Sequence, residues 1–322
     1  MYILYRFHRI FNMLFNTLLV AFPLCVTMVT SFLSKDFKDC KEYFKDGFLP
    51  KNYPEELPKV EICQRLHGTK YYATMYDLKH KTPLYSAYKL DNSIEKEQPP
   101  DPKKWFVELG LSAKGGDMGD EKELSPKEKK VQAVNKDYTK APEPVVRGQM
   151  APKIHKNQEA RLATFTLTNA APLYEKFQAV WRIVEQETKK LMMKKCIGAA
   201  SPGTPFFVPG PIPGPAKIAK KVNIPTHVYS AAACDKEKPS QVFSFGVLGP
   251  NEENGGSPKD IPILVTDVVK LGKKIKELWS DPPAPKKPIK FFKDDGNPVN
   301  NVAVHELKAA LKKRGVNVVK DL

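Results

Sequence analysis

The chain has 322 residues, of which 41% are hydrophobic and 27% are charged, and its formal net charge at pH 7 is +16. This length and apolar content suffice for one large domain or two small ones, and they exclude a wholly disordered chain. The 29 prolines and 18 glycines follow no period, which excludes collagen-like classes. Beyond one N-terminal run no stretch has membrane length, which excludes a multi-pass membrane protein.

The first 33 residues have the pattern of an export signal. Arg6 and Arg9 precede the run Ile10–Thr30, which contains no charged residue. We therefore predict that residues 1–33 are a signal peptide and that the protein is secreted. The run is longer than usual, so a retained N-terminal anchor is the alternative. Removal of the segment deletes two arginines and no acidic residue, which leaves a net charge of +14.

Four cysteines follow this segment: Cys40, Cys63, Cys196 and Cys234. Export makes disulfides the expected chemistry, because secreted proteins fold in oxidising compartments. Three pairings of four cysteines exist, and the sequential one closes the shortest loops. A zinc site is the rival interpretation, but no C-x-x-C or histidine-rich spacing supports it. We predict two disulfides and leave the pairing open.

The early and middle parts of the chain alternate as strands do. Residues 70–90 predict a hairpin that bends near Pro83, Val145–Val146 predicts a short strand, and Thr164–Thr168 predicts another. Residues 94–140 are mostly polar, with Lys114–Glu123 as an expected exposed loop.

The later part begins with the clearest helical pattern, an apolar stripe at 3.6-residue spacing over Pro172–Lys195. Pro202–Pro215 is rich in proline and is predicted to be a loop or an insertion. The remaining assignments are strands at 222–231 and 242–248, a basic amphipathic segment at Leu264–Trp279 and a peripheral helix at Val302–Lys313. Together these elements predict a mixed α+β domain.

Three segments together resemble the DNA/RNA non-specific endonuclease family. Gln132–Tyr138, leading to Arg147–Pro152, is similar to its D-R-G-H-[LM]-x-P motif. Ala163–Pro172 is similar to its T-F-x-L-S/T-N-x-x-P segment, and Phe177–Glu185 to its [LF]-N-x-x-W-x-x-x-E helix. Further stretches resemble the family's secreted branch, called endonuclease domain-containing 1 protein. The resemblance implies a central antiparallel sheet with a ββα-metal hairpin-helix site, and it covers roughly Cys40–Leu278.

The chemistry implied by the resemblance is altered in this chain. In the family the histidine of the first motif is the general base, and the asparagine of the helix is the sole protein ligand of Mg²⁺. Those positions hold Gln149 and Gln178 here, and the motif's aspartate is Val146. An amide cannot accept a proton near neutral pH, and loss of such a base typically costs about 10²–10⁴-fold in rate. The Gln178 carbonyl remains a hard oxygen ligand but reaches one methylene farther.

Three other residues match the family, which assigns Arg147 to phosphate binding and makes Asn169 a site residue. The match also gives Glu185 the role of holding a metal-bound water. Each has an ordinary alternative: an ion pair for Arg147, a turn or cap for Asn169, and an ion pair with Lys189 for Glu185.

Two histidines enter the same comparison. His155 lies six residues beyond Gln149, and His227 lies on a predicted strand, so each is a weak candidate for a substitute base.

These observations predict a signal peptide at 1–33, a nuclease-like domain at 34–280, and a basic C-terminal tail with a short helix at 281–322. The predicted function is a secreted, catalytically impaired endonuclease-like protein that keeps nucleic-acid or polyanion binding. An active Mg²⁺-dependent endonuclease is the alternative. The expected cofactor is Mg²⁺ or another divalent cation, held weakly or not at all. No small-molecule cofactor is expected, and a membrane partner only if the N-terminal segment is retained.

Overall fold

The computed structural model describes residues 37–91, 100–111, 116–139, 141, 144–156, 158–238, 241–253, 258–294 and 301–322. These residues belong to one compact unit. The segment expected to be a signal peptide, residues 1–33, lies outside the described residues. Within the described part, no helix is both long and apolar enough to cross a membrane.

An eight-stranded sheet forms the centre of the unit. In spatial order its strands, numbered along the chain, are β1 (Lys59–Leu66), β2 (Thr69–Asp77), β3 (Thr82–Lys89), β8 (Thr204–Ile212), β11 (His227–Asp235), β12 (Phe243–Pro250), β13 (Pro262–Thr266) and β14 (Asn317–Val319). Neighbouring strands are antiparallel except β13 and β14, which are parallel. Three two-stranded sheets accompany it: β4 (Val107–Glu108) with β5 (Met118–Gly119), β6 (Val145–Gln149) with β7 (Ala170–Tyr174), and β9 (Lys217–Ile218) with β10 (Val222–Asn223).

The α-helices are α1 (Pro126–Val131), α2 (Asn135–Thr139), α3 (Gln158–Ala163), α4 (Glu175–Met192), α5 (Val268–Leu278) and α6 (Asn301–Lys313). Short 3₁₀ segments lie at Phe37–Tyr43, Lys45–Gly47, Glu121–Glu123, Lys153–His155, Leu167–Asn169 and Pro258–Asp260, and a π turn at Met193–Ile197 follows α4. The apolar stripe of α4 is buried, as its helical period requires.

Side chains of the central sheet alternate between two cores because successive residues of a strand face opposite sides. Phe207 and Val247 belong to the core that packs against α4 and α6. Val208 and Leu248 belong to the other core, which packs against α5. The helix that carries the candidate site therefore lies on one face of the sheet and α5 on the other.

Two disulfides are present, which confirms the prediction from the cysteine count. Cys40 pairs with Cys63 and attaches the N-terminal 3₁₀ segment to β1, while Cys196 pairs with Cys234 and attaches the end of the α4 segment to β11. This is the sequential pairing.

The predicted hairpin at 70–90 is confirmed, and so are the strands near 222–231 and 242–248. The strand predicted at Thr164–Thr168 is wrong. All five of its residues are buried, and only Thr166 pairs, through one isolated bridge to Phe106. The alternation there belongs to a buried polar turn.

Pro202–Pro215 is not a loop, since most of it forms the central strand β8. Pro205, Pro209 and Pro211 all occupy odd positions, so their missing N–H groups all belong to one edge of the strand. Pairing with β11 runs along the whole of β8, whereas pairing with β3 involves only Phe206 and Phe207. One intact edge is enough to place a proline-rich strand inside the sheet.

Two further expectations are wrong. The long helix begins at Glu175 instead of Pro172, because Pro172 pairs with Arg147 in the β6–β7 hairpin. The last helix is not peripheral: Leu307 and Leu311 are fully buried in the core beside α4.

Candidate functional site

A cleft of about 290 Å³ lies between the β6–β7 hairpin and helix α4. It is lined by Asp101, Trp105, Val146, Arg147, Gln149, Pro152, Lys153, Ile154, Phe165, Glu175, Gln178, Ala179, Arg182 and Glu185. Four of the five residues singled out in the sequence line it, namely Arg147, Gln149, Gln178 and Glu185. Asn169 does not.

The backbone explains why these four side chains meet. Arg147 and Gln149 are two apart on β6 and face the same side of the hairpin. Gln178 and Glu185 are seven apart on α4, nearly two turns, and share one face of the helix. Gly148 allows the close approach of strand and helix, since a Cβ there would lie 2.1 Å from Leu173 Cδ1 and 3.1 Å from Gln178 Oε1.

Arg147 is held by aromatic rings. Its guanidinium carbon lies 5.6 Å from the centre of the Trp105 ring and 5.3 Å from that of Tyr138. Its Nε is buried without a hydrogen-bond partner, and among the described residues no carboxylate forms an ion pair with it. Burial lowers the pKa of Arg147, but an arginine stays protonated in proteins. The described residues therefore do not form the ordinary alternative, an ion pair between Arg147 and a structural carboxylate.

Gln149 has a fixed amide. Its Nε2 donates to Thr164 Oγ1 at 2.8 Å, and its Oε1 accepts from the backbone N–H of Lys153 at 3.3 Å. Thr164 in turn donates to the carbonyl of Arg161 at 2.7 Å. The amide can orient a water or a phosphate by hydrogen bonding, but it has no group that takes up a proton near neutral pH.

Gln178 and Glu185 both line the cleft. Gln178 Oε1 is buried without a hydrogen-bond partner. Glu185 is 8% exposed, and burial raises the pKa of its carboxyl to about 8, against the opposing influence of Arg182 and Lys153. Lys189 donates to the carbonyl of Ile154 at 2.8 Å instead of pairing with Glu185.

The side chains of Gln178 and Glu185 have the donor atoms that a divalent cation would require. Amide and carboxylate oxygens are hard donors of the kind that Mg²⁺ accepts, and in the described part of the chain Gln178 Oε1 has no hydrogen-bond partner. No group of three or more histidine, cysteine, aspartate or glutamate side chains in the described ranges has the arrangement of a metal site. The donor set therefore fits a cation that keeps most of its water ligands.

Asn169 has a structural environment. Its Oδ1 accepts from Ser86 Oγ and from the N–H of Ala151, both at 2.9 Å, and its Nδ2 donates to the carbonyls of Ala151 and Thr164, both at 3.0 Å. The side chain is completely buried. It fastens the segment after β6 to the turn before β7 and so positions the cleft wall from behind.

The family model described as DNA/RNA non-specific endonuclease matches residues 57–270 of this chain. The chain belongs to this family. The resemblance drawn from the three motifs is thereby confirmed, and the structure has the α+β fold with a hairpin and helix that the resemblance implied.

Relatives within the family include two mammalian proteins. The endonuclease domain-containing 1 protein of Homo sapiens is 28% identical over 209 residues, which are 62% of this chain and 39% of the human protein. That of Mus musculus is 29% identical over 222 residues, 66% of this chain and 41% of the mouse protein. The chain thus spans about two fifths of the length of these curated relatives. In a crystal structure of the EndoG/EndoGI complex, one chain is similar at 18% identity with a TM-score of 0.49, covering 76% of this chain and 91% of that one.

No histidine is among the described residues that line the cleft. His155 is 1% exposed, its Nδ1 is bonded to the Tyr88 hydroxyl at 2.8 Å, and its Nε2 to the carbonyl of Glu185 at 3.0 Å. Burial lowers the pKa of His155 to about 3 and that of His227 to about 4. Neither lines the cleft.

Sequence reasoning missed two groups at this site. The rings of Trp105 and Tyr138 contact the Arg147 guanidinium. Tyr138 lies in the segment that leads to the first motif, but no role for its ring follows from the sequence. Asp101, at the mouth of the cleft, forms ion pairs with Lys153 and Arg161. Nothing in their spacing along the chain indicates these contacts, because tertiary folding alone brings them together.

Proposed function

We propose that this chain is a secreted member of the endonuclease family that binds nucleic acid or a similar polyanion and is impaired in hydrolysis. The observation that carries the proposal is the amide of Gln149 at the position of the family's general base. Hydrolysis of a phosphodiester needs a group that takes the proton of the attacking water, and a glutamine amide does not do this. Neither His155 nor His227 faces the cleft to take over the task.

Binding does not need the missing base. A planar guanidinium that lines the cleft and forms no ion pair with a described carboxylate suits phosphate oxygens, and the surrounding rings limit its motion. The net charge of +16 adds a long-range attraction for polyanions. Secretion is supported by the two disulfides and by the leader pattern of residues 1–33.

An active Mg²⁺-dependent endonuclease of DNA and RNA is the second candidate. It is favoured by the buried oxygen of Gln178, which has no hydrogen-bond partner among the described residues, and by the buried carboxyl of Glu185 in the wall of the same cleft. In that case these two residues would hold the hydrated ion, which would supply positive charge beside the scissile phosphate. Arg147 would bind the phosphate, and Gln149 would only orient the attacking water.

The two candidates are separated by restoring the base. The full chain, expressed through a secretory pathway so that both disulfides form, is incubated with plasmid DNA and with RNA, in Mg²⁺ and in EDTA. We expect little or no hydrolysis by the unaltered protein and an increase of at least about 10²-fold in Gln149→His, because an imidazole restores proton acceptance. Efficient Mg²⁺-dependent hydrolysis by the unaltered protein that is lost in Glu185→Ala would instead establish the enzyme.

Binding is tested separately with Arg147→Ala. We expect its Kd for a labelled oligonucleotide in EDTA to rise about tenfold, since a charge-assisted contact contributes roughly 1.5–3 kcal/mol. Arg314→Ala, which removes an arginine on the C-terminal segment that pairs with Glu187, is the charge-matched control. Equal losses in the two variants would mean that the cleft has no special part in binding.

A further inference from the structure

A second cavity, of about 320 Å³, adjoins the cleft. It is lined by Lys104, Trp105, Asp120, Glu121, Lys122, Lys129, Asn135 and Lys136. Trp105 also lines the cleft, where its ring contacts Arg147. The two concavities therefore share one aromatic wall.

The acidic and basic side chains of this cavity differ in their interactions with the rest of the protein. The Asp120 carboxylate accepts from the backbone N–H of Lys122 at 2.9 Å, and the Glu121 carboxylate accepts from that of Asn135 at 2.7 Å. Both acids are thus engaged by the backbone. All four lysines are exposed, and among the described residues no carboxylate forms an ion pair with any of their ammonium groups.

The shared wall is held in place on both sides. The backbone N–H of Trp105 donates to Asn135 Oδ1 at 3.1 Å, and Asn135 Nδ2 donates to the backbone carbonyl of Trp105 at 2.9 Å, so Asn135 fixes the backbone that carries the ring. On the cleft side the Trp105 ring meets the Phe165 ring edge to face, with centroids 5.2 Å apart. Because these contacts hold Trp105 in place, a ligand that spans both concavities would bind a preformed wall. Little conformational entropy of the Trp105 side chain would then be lost on binding.

Lysines on a surface often do no more than solvate it. Here the four lie in a concavity whose two acids accept hydrogen bonds from the backbone, and this concavity adjoins the cleft that Arg147 lines. Successive phosphates along one strand are spaced closely enough to occupy neighbouring concavities. An indole between them offers a stacking surface for an unpaired base, which a sulfated glycan lacks.

We propose that the lysine-lined cavity is a second backbone subsite for single-stranded nucleic acid. A strand crosses Trp105 with one phosphate at Arg147 and the adjoining phosphates among the four lysines. This inference rests on the proposed function, in which the cleft binds a nucleic-acid backbone.

The test uses the full chain and the double variant Lys122→Ala/Lys136→Ala. The matched control is Lys273→Ala/Lys276→Ala, which removes the same charge from α5 on the opposite face of the sheet. Binding of fluorescein-labelled thymidine di- and octanucleotides is measured in EDTA between 50 and 200 mM NaCl, and heparin is tested as a competitor.

We expect the double variant to reduce the salt slope of octanucleotide binding by about 1 to 1.5, since each neutralised phosphate contributes about 0.7 for single strands. The dinucleotide, with one phosphodiester, should bind as it does to the unaltered protein. The control variant should keep the difference between the two lengths.

Failure of the subsite is distinguishable from failure of the proposed function. If Arg147→Ala weakens both lengths while the double variant behaves like the control, only the second subsite is wrong. If the double variant loses heparin but not the octanucleotide, the cavity binds a sulfated glycan and the proposal is also overturned. If neither oligonucleotide binds the unaltered protein, both inferences fall together.

Discussion

The turn that holds Asn169 and the cleft that holds Arg147 are built on the same β6–β7 hairpin, yet their polar atoms differ in one respect. Asn169 uses both amide atoms in four hydrogen bonds to buried partners. Arg147 Nε and Gln178 Oε1 have no partner at all. Burial of an unpaired polar atom costs free energy that folding alone does not recover, so unpaired atoms of residues that line the cleft favour a ligand there, whereas the four bonds of Asn169 give it a structural role.

The largest effect is expected from Asn169→Ala, which leaves several buried partners unsatisfied. We expect the free energy of unfolding to fall by about 3 kcal/mol or more, measured by urea denaturation. Asn317→Ala, at an exposed position on β14, should change it by less than about 0.5 kcal/mol. A stable Asn169→Ala protein that has lost only ligand binding would break the comparison, since it would make Asn169 a binding residue.

An intermediate effect is expected from Glu185→Gln, and it depends on pH. The folded-state pKa of about 8 lies above the ordinary value of 4.5, so the folded protein binds more protons than the unfolded chain between these values. Stability therefore falls as pH rises from about 4.5 to 8. The glutamine variant lacks this loss and should gain about 2 kcal/mol relative to the unaltered protein at pH 8 but little at pH 5. Parallel stability curves from urea titrations at both pH values would contradict a desolvated carboxyl in the cleft.

The smallest effect is expected from Asp101→Asn at the mouth of the cleft. This change removes the carboxylate that pairs with Lys153 and Arg161, and it frees Lys153, which lines the cleft, for a polyanion. We expect the Kd for a labelled octanucleotide to fall about two- to fivefold at 50 mM NaCl and less at 200 mM, because salt screens exposed charges. Asp321→Asn removes an equal charge that pairs with Lys274 on α5 and should have no such effect. An equal fall in Kd in both variants would mean that the change in net charge, and not the position of Asp101, causes the effect.

Local patterns anticipated a large part of the fold. The hairpin at 70–90 followed from alternation, and the long helix from its 3.6-residue stripe, because each pattern is set by neighbours along the chain. The strand within Pro202–Pro215 was not predicted, because β8 tolerates its prolines only when the edge that pairs with β11 keeps its N–H groups. The buried turn at Thr164–Thr168 was predicted as a strand, because the partners of its polar side chains are distant in sequence.

The site divides in the same way. The resemblance to the family's motifs identified Gln149, Gln178 and Glu185, and helical spacing placed Gln178 and Glu185 on one face. They did not reveal Trp105, Tyr138 or Asp101, which come from other segments.

The sequence by itself determined that Gln149 occupies the motif position where the resemblance implies a histidine, because that is a matter of residue identity. It also determined the even cysteine count and the strong positive charge. Only the tertiary structure decided that Asn169 supports the cleft from behind, that His155 is enclosed by Tyr88 and the backbone, and that Arg147 keeps an unpaired N–H between two rings. Residue identity sets what a side chain can do, but burial and the partners supplied by distant segments set which of those capacities remains available to a ligand.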